Sequence, residues 1–358
     1  MTTSMDDRTG VEAPRDAVRD RRVFTRLHAL RLTRRPAEAR GRNWVILLAA
    51  GEGNRLRRLT TDGSGTAVPK QFCSLRGGPS LLHHALRRAE NLAPRRRICA
   101  VVARQHARWW RESLSSLPMP NVIVQPENRG TAVGILLALL HILERDSIAR
   151  ILVLPSDHHV IDEHALSAAM ARAFVRLRKE PEALVLLGMK PDDADTELGY
   201  IVPTPGAAGD GVAHVANFIE KPSPPEARVL VSRGALWNSF IIAAHAPTLL
   251  ASFAARDPAL VSRMQAAVKS MRGGRESAAL NGLYDVLPTL DFSRQILQGR
   301  EAQLRVLRVP PCGWNDLGTP DRVGKSLRGA AAEPRQAGAP LVAGALSLEQ
   351  QFARFGGL

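Results

Sequence analysis

Cysteine is scarce: Cys73, Cys99 and Cys312 lie far apart in a chain of 358 residues. An odd number with no metal-ligand spacing excludes a disulfide framework and a cysteine zinc site, and it points to a reducing compartment. Aromatic residues make up 4% of the chain and do not alternate with basic ones, so the surface that stacks nucleic-acid bases is missing. No apolar run reaches the roughly 20 residues of a membrane span. The richest, Ala132 to Leu143, is short and contains Gly134 and His141, so no stable membrane insertion is expected. The opening MTTSMDDRTGVEAPRD carries no apolar signal-peptide core, and the expected location is cytoplasmic.

Acidic residues are also in deficit, 34 against 49 Lys and Arg, for a net charge of +15. The excess is not concentrated as a nucleic-acid footprint would be. Residues 1–42 hold eleven arginines against six acidic residues, and most other arginines are solitary. A solvated arginine-rich surface plus a basic tail accounts for this, and its field favours anionic small molecules. No nucleic-acid partner is expected.

What is present is a core: 45% of the residues are hydrophobic. From Asn43 the apolar runs WVILLAA, RICAVVA, NVIVQP, RILVLP and ALVLLGM alternate with helical stretches such as SLLHHALRRAENL and TAVGILLALLHILERD. Crossover units of this kind predict an α/β fold with a mainly parallel sheet and flanking helices. After residue 198 the pattern becomes strand-rich (LGYIVP, VAHVANFIEKP, WNSFIIAAH), with helices expected over 258–271 and 291–298, which predicts a smaller lobe over roughly 198–300. Residues 1–42 read as an extension, 43–324 as the folded domain and 325–358 as a tail without clear periodicity.

The first strand feeds AAGEGNRL, in which Gly51 and Gly53 let the backbone approach an anion at the carboxyl edge of a parallel sheet. A dinucleotide fingerprint would need a third glycine where Leu56 stands and a carboxylate roughly 20 residues on; PKQF supplies Lys70 there instead. No GxxxxGK[ST] loop occurs either. Ala50, Gly51, Gly53, Arg55 and Lys70 are therefore the candidate triphosphate site. QPENRGTA, residues 125–132, opens a helix after a strand and offers Gln125, Gly130 and Thr131 to a base or phosphate. LPSDHH sets Asp157 at a strand end, and GWNDLG supplies Asp316; two carboxylates meeting a polyphosphate suit magnesium.

In order, GxGxRL, PKQF, QPxNRGTA, PSDH, GYI, FxEKP, WNS and GWxDLG resemble the sugar 1-phosphate nucleotidyltransferases over about residues 43–323, nearest to the mannose-1-phosphate guanylyltransferases. The resemblance implies a Rossmann-like, GT-A-like domain that joins a nucleoside triphosphate, GTP above others, to a sugar 1-phosphate. It implies Arg55 and Lys70 on the phosphates, Asp157 and Asp316 on Mg2+, Gln125 and Gly130 at the base, and Gly199, Tyr200, Glu220 and Asn238 around the sugar. Lys221 would hold the sugar phosphate, and a homodimer is left open. The chain departs from the pattern at Asn54, Arg58, the LGYI segment and Phe240. Adenine, uracil, thymine or cytosine nucleotides with glucose 1-phosphate stay open as substrates, as does a non-catalytic nucleotide-sugar regulator.

The same roles have a physical rationale. A sugar phosphate oxygen is already ionised, so it can attack the α-phosphorus without a protein nucleophile; positioning and charge neutralisation suffice. His158 and His159 are expected as loop residues, Trp109, Trp110 and Trp237 as packing, and Cys73 and Cys312 as bystanders.

Overall fold

A computed structural model describes residues 42–206, 211–270, 278–329 and 346–354. The basic extension up to Gly41 and most of the C-terminal tail lie outside the described residues.

Nine strands form one sheet: β1 (Asn43–Ala49), β2 (Ile98–Ala103), β3 (Val122–Gln125), β4 (Arg150–Pro155), β5 (Leu184–Met189), β6 (Gly199–Pro203), β7 (Val212–Glu220), β8 (Leu236–His245) and β9 (Leu304–Arg308). Their spatial order is β3-β2-β1-β4-β8-β5-β9-β7-β6. The unbroken apolar runs became strands buried on both faces, as such runs must. Alternate residues of β1 divide between two cores, Val45 and Leu47 in one, Trp44 and Ile46 in the other. β1 lies parallel between β2 and β4, and β2 is parallel to β3. The carboxyl ends of β1, β3 and β4 therefore share one edge, where the turns 50–53, 126–130 and 156–159 meet.

Helices α1 (Leu81–Glu90), α2 (Thr131–Leu143) and α3 (Glu163–Lys179) make the crossovers. Nearly all of α2 is buried because it runs between the sheet and the helices Ala246–Arg256 and Pro258–Ser270. Among the described residues no helix is long and apolar enough to cross a membrane.

The strand-rich segment joins the same sheet in a way the sequence did not indicate. β6 pairs with β7 and also with β8, so β8, β5, β9, β7 and β6 close into a ring. The helix expected over 291–298 is instead one π-helical turn, Ser293–Leu297. Its first amides are satisfied by side chains: the Phe292 amide donates to Thr131 Oγ1 at 3.0 Å, and Asp291 Oδ1 accepts from the Arg294 amide at 2.9 Å. Within the tail, Leu348–Arg354 forms a helix, α5, next to α4 (Pro320–Gly329): Leu348 N donates to Ser74 O at 2.8 Å and Phe352 lies against Gly324.

Candidate active site

The glycine turn after β1 is braced from below. Gln71, buried within PKQF, donates through Nε2 to the carbonyls of Ala49 and Gly51, both at 3.0 Å. Gly53 has φ +66°, and a Cβ there would stand 3.1 Å from the Lys70 amide, so this position needs glycine for both reasons. The turn continues as a 3₁₀ helix, Asn54–Leu56, which buries Leu56 and leaves Arg55 half exposed.

Lys70 is 6% exposed, an unusual location for an ammonium. It is stabilised there by Asp157 Oδ2 at 2.8 Å and by the backbone carbonyl of Asp316 at 2.6 Å. The two carboxylate-bearing loops are fastened together by reciprocal backbone bonds, His159 N to Asn315 O at 2.8 Å and Asn315 N to His159 O at 2.9 Å. Burial pushes the Asp157 carboxyl up, but Lys70 and His158 outweigh it and hold it below its ordinary value. Asp316 is 7% exposed; its Oδ1 accepts from the Gly318 amide at 3.1 Å and meets Arg322 Nη1 at 3.2 Å. Arg322 also binds Asp195 Oδ2 at 2.7 Å and covers the Trp237 ring, 4.6 Å from its centroid.

His158 is not available as a metal ligand. Trp314 Nε1 donates to His158 Nδ1 at 3.2 Å, which fixes the tautomer with its proton on Nε2, 3.6 Å from Asp157 Oδ1. Burial lowers the ring to about 4, so it stays neutral at physiological pH.

The 125–132 loop is clasped by the segment 290–292. Leu290 N donates to Arg129 O and Ala132 N to Leu290 O, both at 3.0 Å. Gly130 lies at φ +86°, ψ 169°, and a Cβ there would be 2.2 Å from Leu290 O. Asn128 Oδ1 accepts from the Gly130 amide at 3.0 Å. Gln125 does not reach the surface of the loop: it is 2% exposed, and its Oε1 accepts from Tyr284 at 3.0 Å. Gln125, expected at the base, thus lies beneath the loop.

On the opposite side, Gly199 pairs with Glu220 across β6 and β7, and a Cβ at Gly199 would stand 2.5 Å from Glu220 Oε2 and 3.4 Å from the Asn238 Cβ. Asn238 is buried, with Nδ2 3.4 Å from Ser293 Oγ. Burial first, and Asp291 second, push the Glu220 carboxyl up to about 7, against the pull of Lys221, Ser293 and Arg294. Tyr200, expected around the sugar, has a fully buried ring, and its hydroxyl donates to Asp195 O at 2.9 Å. Arg55 and Lys221 meet at Glu197: Oε2 lies 3.2 Å from Arg55 Nη1 and 3.3 Å from Lys221 Nζ.

Backbone strain marks the same place. Among the described residues the non-glycine positions with positive φ are Lys221 (53°), Phe240 (59°) and Leu317 (51°). Each sits in or next to one of the motifs, and each costs on the order of 1–2 kcal/mol. Glu197, Arg322, Asp291 and Leu290 went unnoticed in the sequence, whereas the supporting residues Gln71, Asn128, Trp314 and Asn315 lie inside the motifs PKQF, QPENRGTA and GWNDLG. Of the residues read as packing, Trp109 stacks on Phe72 with centroids 5.9 Å apart, and Trp237 is buried.

The nucleotidyl transferase family model matches residues 44–330. Xanthan biosynthesis protein XanB of Xanthomonas campestris pv. campestris (strain B100) is 31% identical over 282 residues, which is 76% of this chain and 57% of that protein. Mannose-1-phosphate guanylyltransferase of Escherichia coli K12 is 34% identical over 211 residues, 56% of this chain and 42% of that protein. The chain thus spans about half the length of the curated relatives it matches. A crystal structure of mannose-1-phosphate geranyltransferase from Thermus thermophilus superposes with a TM-score of 0.68 at 27% identity, covering 80% of this chain and 79% of that one. The expected likeness to the sugar 1-phosphate nucleotidyltransferases is borne out, as is the α/β fold.

Proposed function

We propose that this chain, which belongs to the nucleotidyl transferase family, joins a nucleoside triphosphate to a sugar 1-phosphate, giving a nucleotide-sugar and pyrophosphate, with GTP and mannose 1-phosphate as the preferred pair. The observation that carries this reading is the clustering of charge at the sheet edge. Lys70 bridges Asp157 and the Asp316 loop, and Arg55 and Lys221 converge on one carboxylate oxygen. An anion that entered between Arg55 and Lys221 would touch a nucleotide-side cation and a sugar-side cation at once.

In this reading the ionised sugar phosphate oxygen attacks the α-phosphorus, the bond to the β-phosphate oxygen breaks, and pyrophosphate leaves with the electron pair. Lys70 and Arg55 offset charge growing on the leaving group, and Lys221 counters repulsion between two anionic reactants. The buried brace of Gln71 keeps the glycine turn open to phosphate, and Leu290 fixes the 128–132 backbone that would face the base. Glu220 and Asn238 would meet sugar hydroxyls.

The donors suit magnesium. Among the described residues no three His, Cys, Asp or Glu side chains gather as a closed cage, and magnesium is ordinarily held by one or two carboxylates together with phosphates and water. Asp157 and Asp316 would be those carboxylates, and the ion would neutralise the triphosphate when bound.

Guanine and mannose are supported by the name of the Escherichia coli relative, and mannose 1-phosphate also by that of the Thermus thermophilus structure. Competition between GTP, ATP, UTP, CTP and dTTP, each with mannose 1-phosphate and glucose 1-phosphate, tests the pair: GTP with mannose 1-phosphate should have the highest kcat/KM. If dTTP or UTP led with every sugar, the guanine assignment would fail and the transfer chemistry would survive.

A further inference from the structure

Glu197 lies outside every motif that carried the functional reading, yet its carboxylate is the contact that Arg55 and Lys221 share. A single atom, Oε2, is 3.2 Å from the guanidinium and 3.3 Å from the ammonium. The backbone that carries it is anchored independently of these contacts. The Glu197 amide donates to Asp195 Oδ1 at 2.7 Å, Tyr200 donates to Asp195 O at 2.9 Å, and Arg322 to Asp195 Oδ2 at 2.7 Å. The side chain can therefore swing on a fixed base. All three partners are about half exposed, at 51%, 45% and 43% for Arg55, Glu197 and Lys221, so each contact is weak enough for a substrate to displace.

We propose that Glu197 is a resident anion: its carboxylate stands where substrate phosphate oxygens belong and couples the two substrate sites by being shared between them. This rests on the reading that Arg55 and Lys221 receive phosphates. With both cations bonded to one oxygen, the first substrate takes one cation and leaves Glu197 held by the other alone. The second substrate then displaces a carboxylate that has lost half its hold, so each substrate should favour the other. Direct repulsion between two anions acts the other way, and the shared carboxylate offsets it. A nucleotide alone or a sugar phosphate alone would be penalised, and the complete pair would not.

Glu197→Gln keeps the shape and removes the charge. Calorimetric titration with inorganic pyrophosphate should give a Kd about two- to tenfold lower in Glu197→Gln than in the unaltered chain, the range expected for releasing exposed ion pairs. Melting temperature should be unchanged, and Glu197→Asp, which keeps the charge, should bind pyrophosphate less tightly than the Gln variant. An equal or higher Kd in Glu197→Gln would overturn the proposal, because the carboxylate would then be ordering the two cations and not competing for them. Mannose 1-phosphate should next be titrated with and without a saturating GTP analogue whose bridge between the α- and β-phosphates cannot be cleaved. The factor by which the nucleotide tightens sugar phosphate binding should be severalfold larger in the unaltered chain than in Glu197→Gln, and equal factors would overturn the coupling. Pyrophosphate binding needs no turnover, so its outcome stands apart from any failure to form a nucleotide-sugar.

Discussion

Gly130→Ala should be among the most damaging small substitutions in this protein, and its cost can be worked out from the structure. Gly130 occupies φ +86°, ψ 169°, a region that is essentially reserved for glycine, and forcing alanine into it costs about 1–3 kcal/mol. The new Cβ would stand 2.2 Å from Leu290 O and 2.8 Å from Leu290 C and N. All three atoms are backbone, so no rotamer change relieves the collision. Leu290 must move, which breaks its bonds to Arg129 O and from Ala132 N, each worth about 1 kcal/mol net. The sum is about 3–5 kcal/mol, less about 0.5–1 kcal/mol because alanine stiffens the unfolded chain. Gly65→Ala is the matched control: φ is +81°, but nothing lies within 4 Å of its Cβ position, so only a conformational cost of about 1–2 kcal/mol remains. Urea unfolding followed by fluorescence would compare the two variants with the unaltered chain. The nucleotide's KM should rise in Gly130→Ala and not in Gly65→Ala. If the two differ by less than about 0.5 kcal/mol, the clasp between residues 129–132 and 290 is not rigid and the reasoning fails.

Gly199→Ala pushes on a carboxylate tip and not on backbone, so it should leave the melting temperature nearly unchanged while raising the KM for sugar 1-phosphate on the order of tenfold, about 1.4 kcal/mol; a matching rise in the nucleotide's KM would contradict the assignment of sides. Glu220 has its pKa raised from 4.5 to about 7, so the folded protein binds the extra proton and stability declines as pH rises from about 4.5 to about 7. Glu220→Gln should therefore be stabilising at pH 8 and close to neutral at pH 4.5, and a stability difference that does not change with pH would refute the buried, up-shifted carboxyl. Asp316→Asn should lower kcat on the order of 10²–10³-fold with the fold retained, and near-normal turnover at limiting magnesium would remove Asp316 from the metal site.

The half of the sheet built by crossovers was readable because its strands are buried on both faces, and such strands announce themselves as unbroken apolar runs: β1, β2, β4 and β5 all came from such segments. The ring of β6, β7 and β8 was not readable. Its closure joins Tyr200 to Trp237, with β7 and the helix Pro224–Ser232 between them in the chain, and nothing local encodes that pairing. For the site, the motifs brought Lys70, Asp157 and Asp316 to one place, since strand ends of a parallel sheet share an edge. Side-chain direction was beyond them. Gln125 and Tyr200 sit at site-bearing positions yet turn into the core toward Tyr284 and Asp195. Glu197 was invisible because a lone glutamate in a loop has no signature until Arg55 and Lys221, far away in sequence, are seen on either side of it.

The central claim, direct attack by the sugar phosphate oxygen on the α-phosphorus, is tested most directly with mannose 1-phosphate labelled with ¹⁸O at its phosphate oxygens. Incubation with GTP and magnesium, followed by mass spectrometry, should find the label retained in the nucleotide-sugar, including one labelled oxygen in the bridge between the two phosphorus atoms, and none in pyrophosphate. Label appearing in pyrophosphate, or no nucleotide-sugar formed with any nucleotide supplied, would contradict the account.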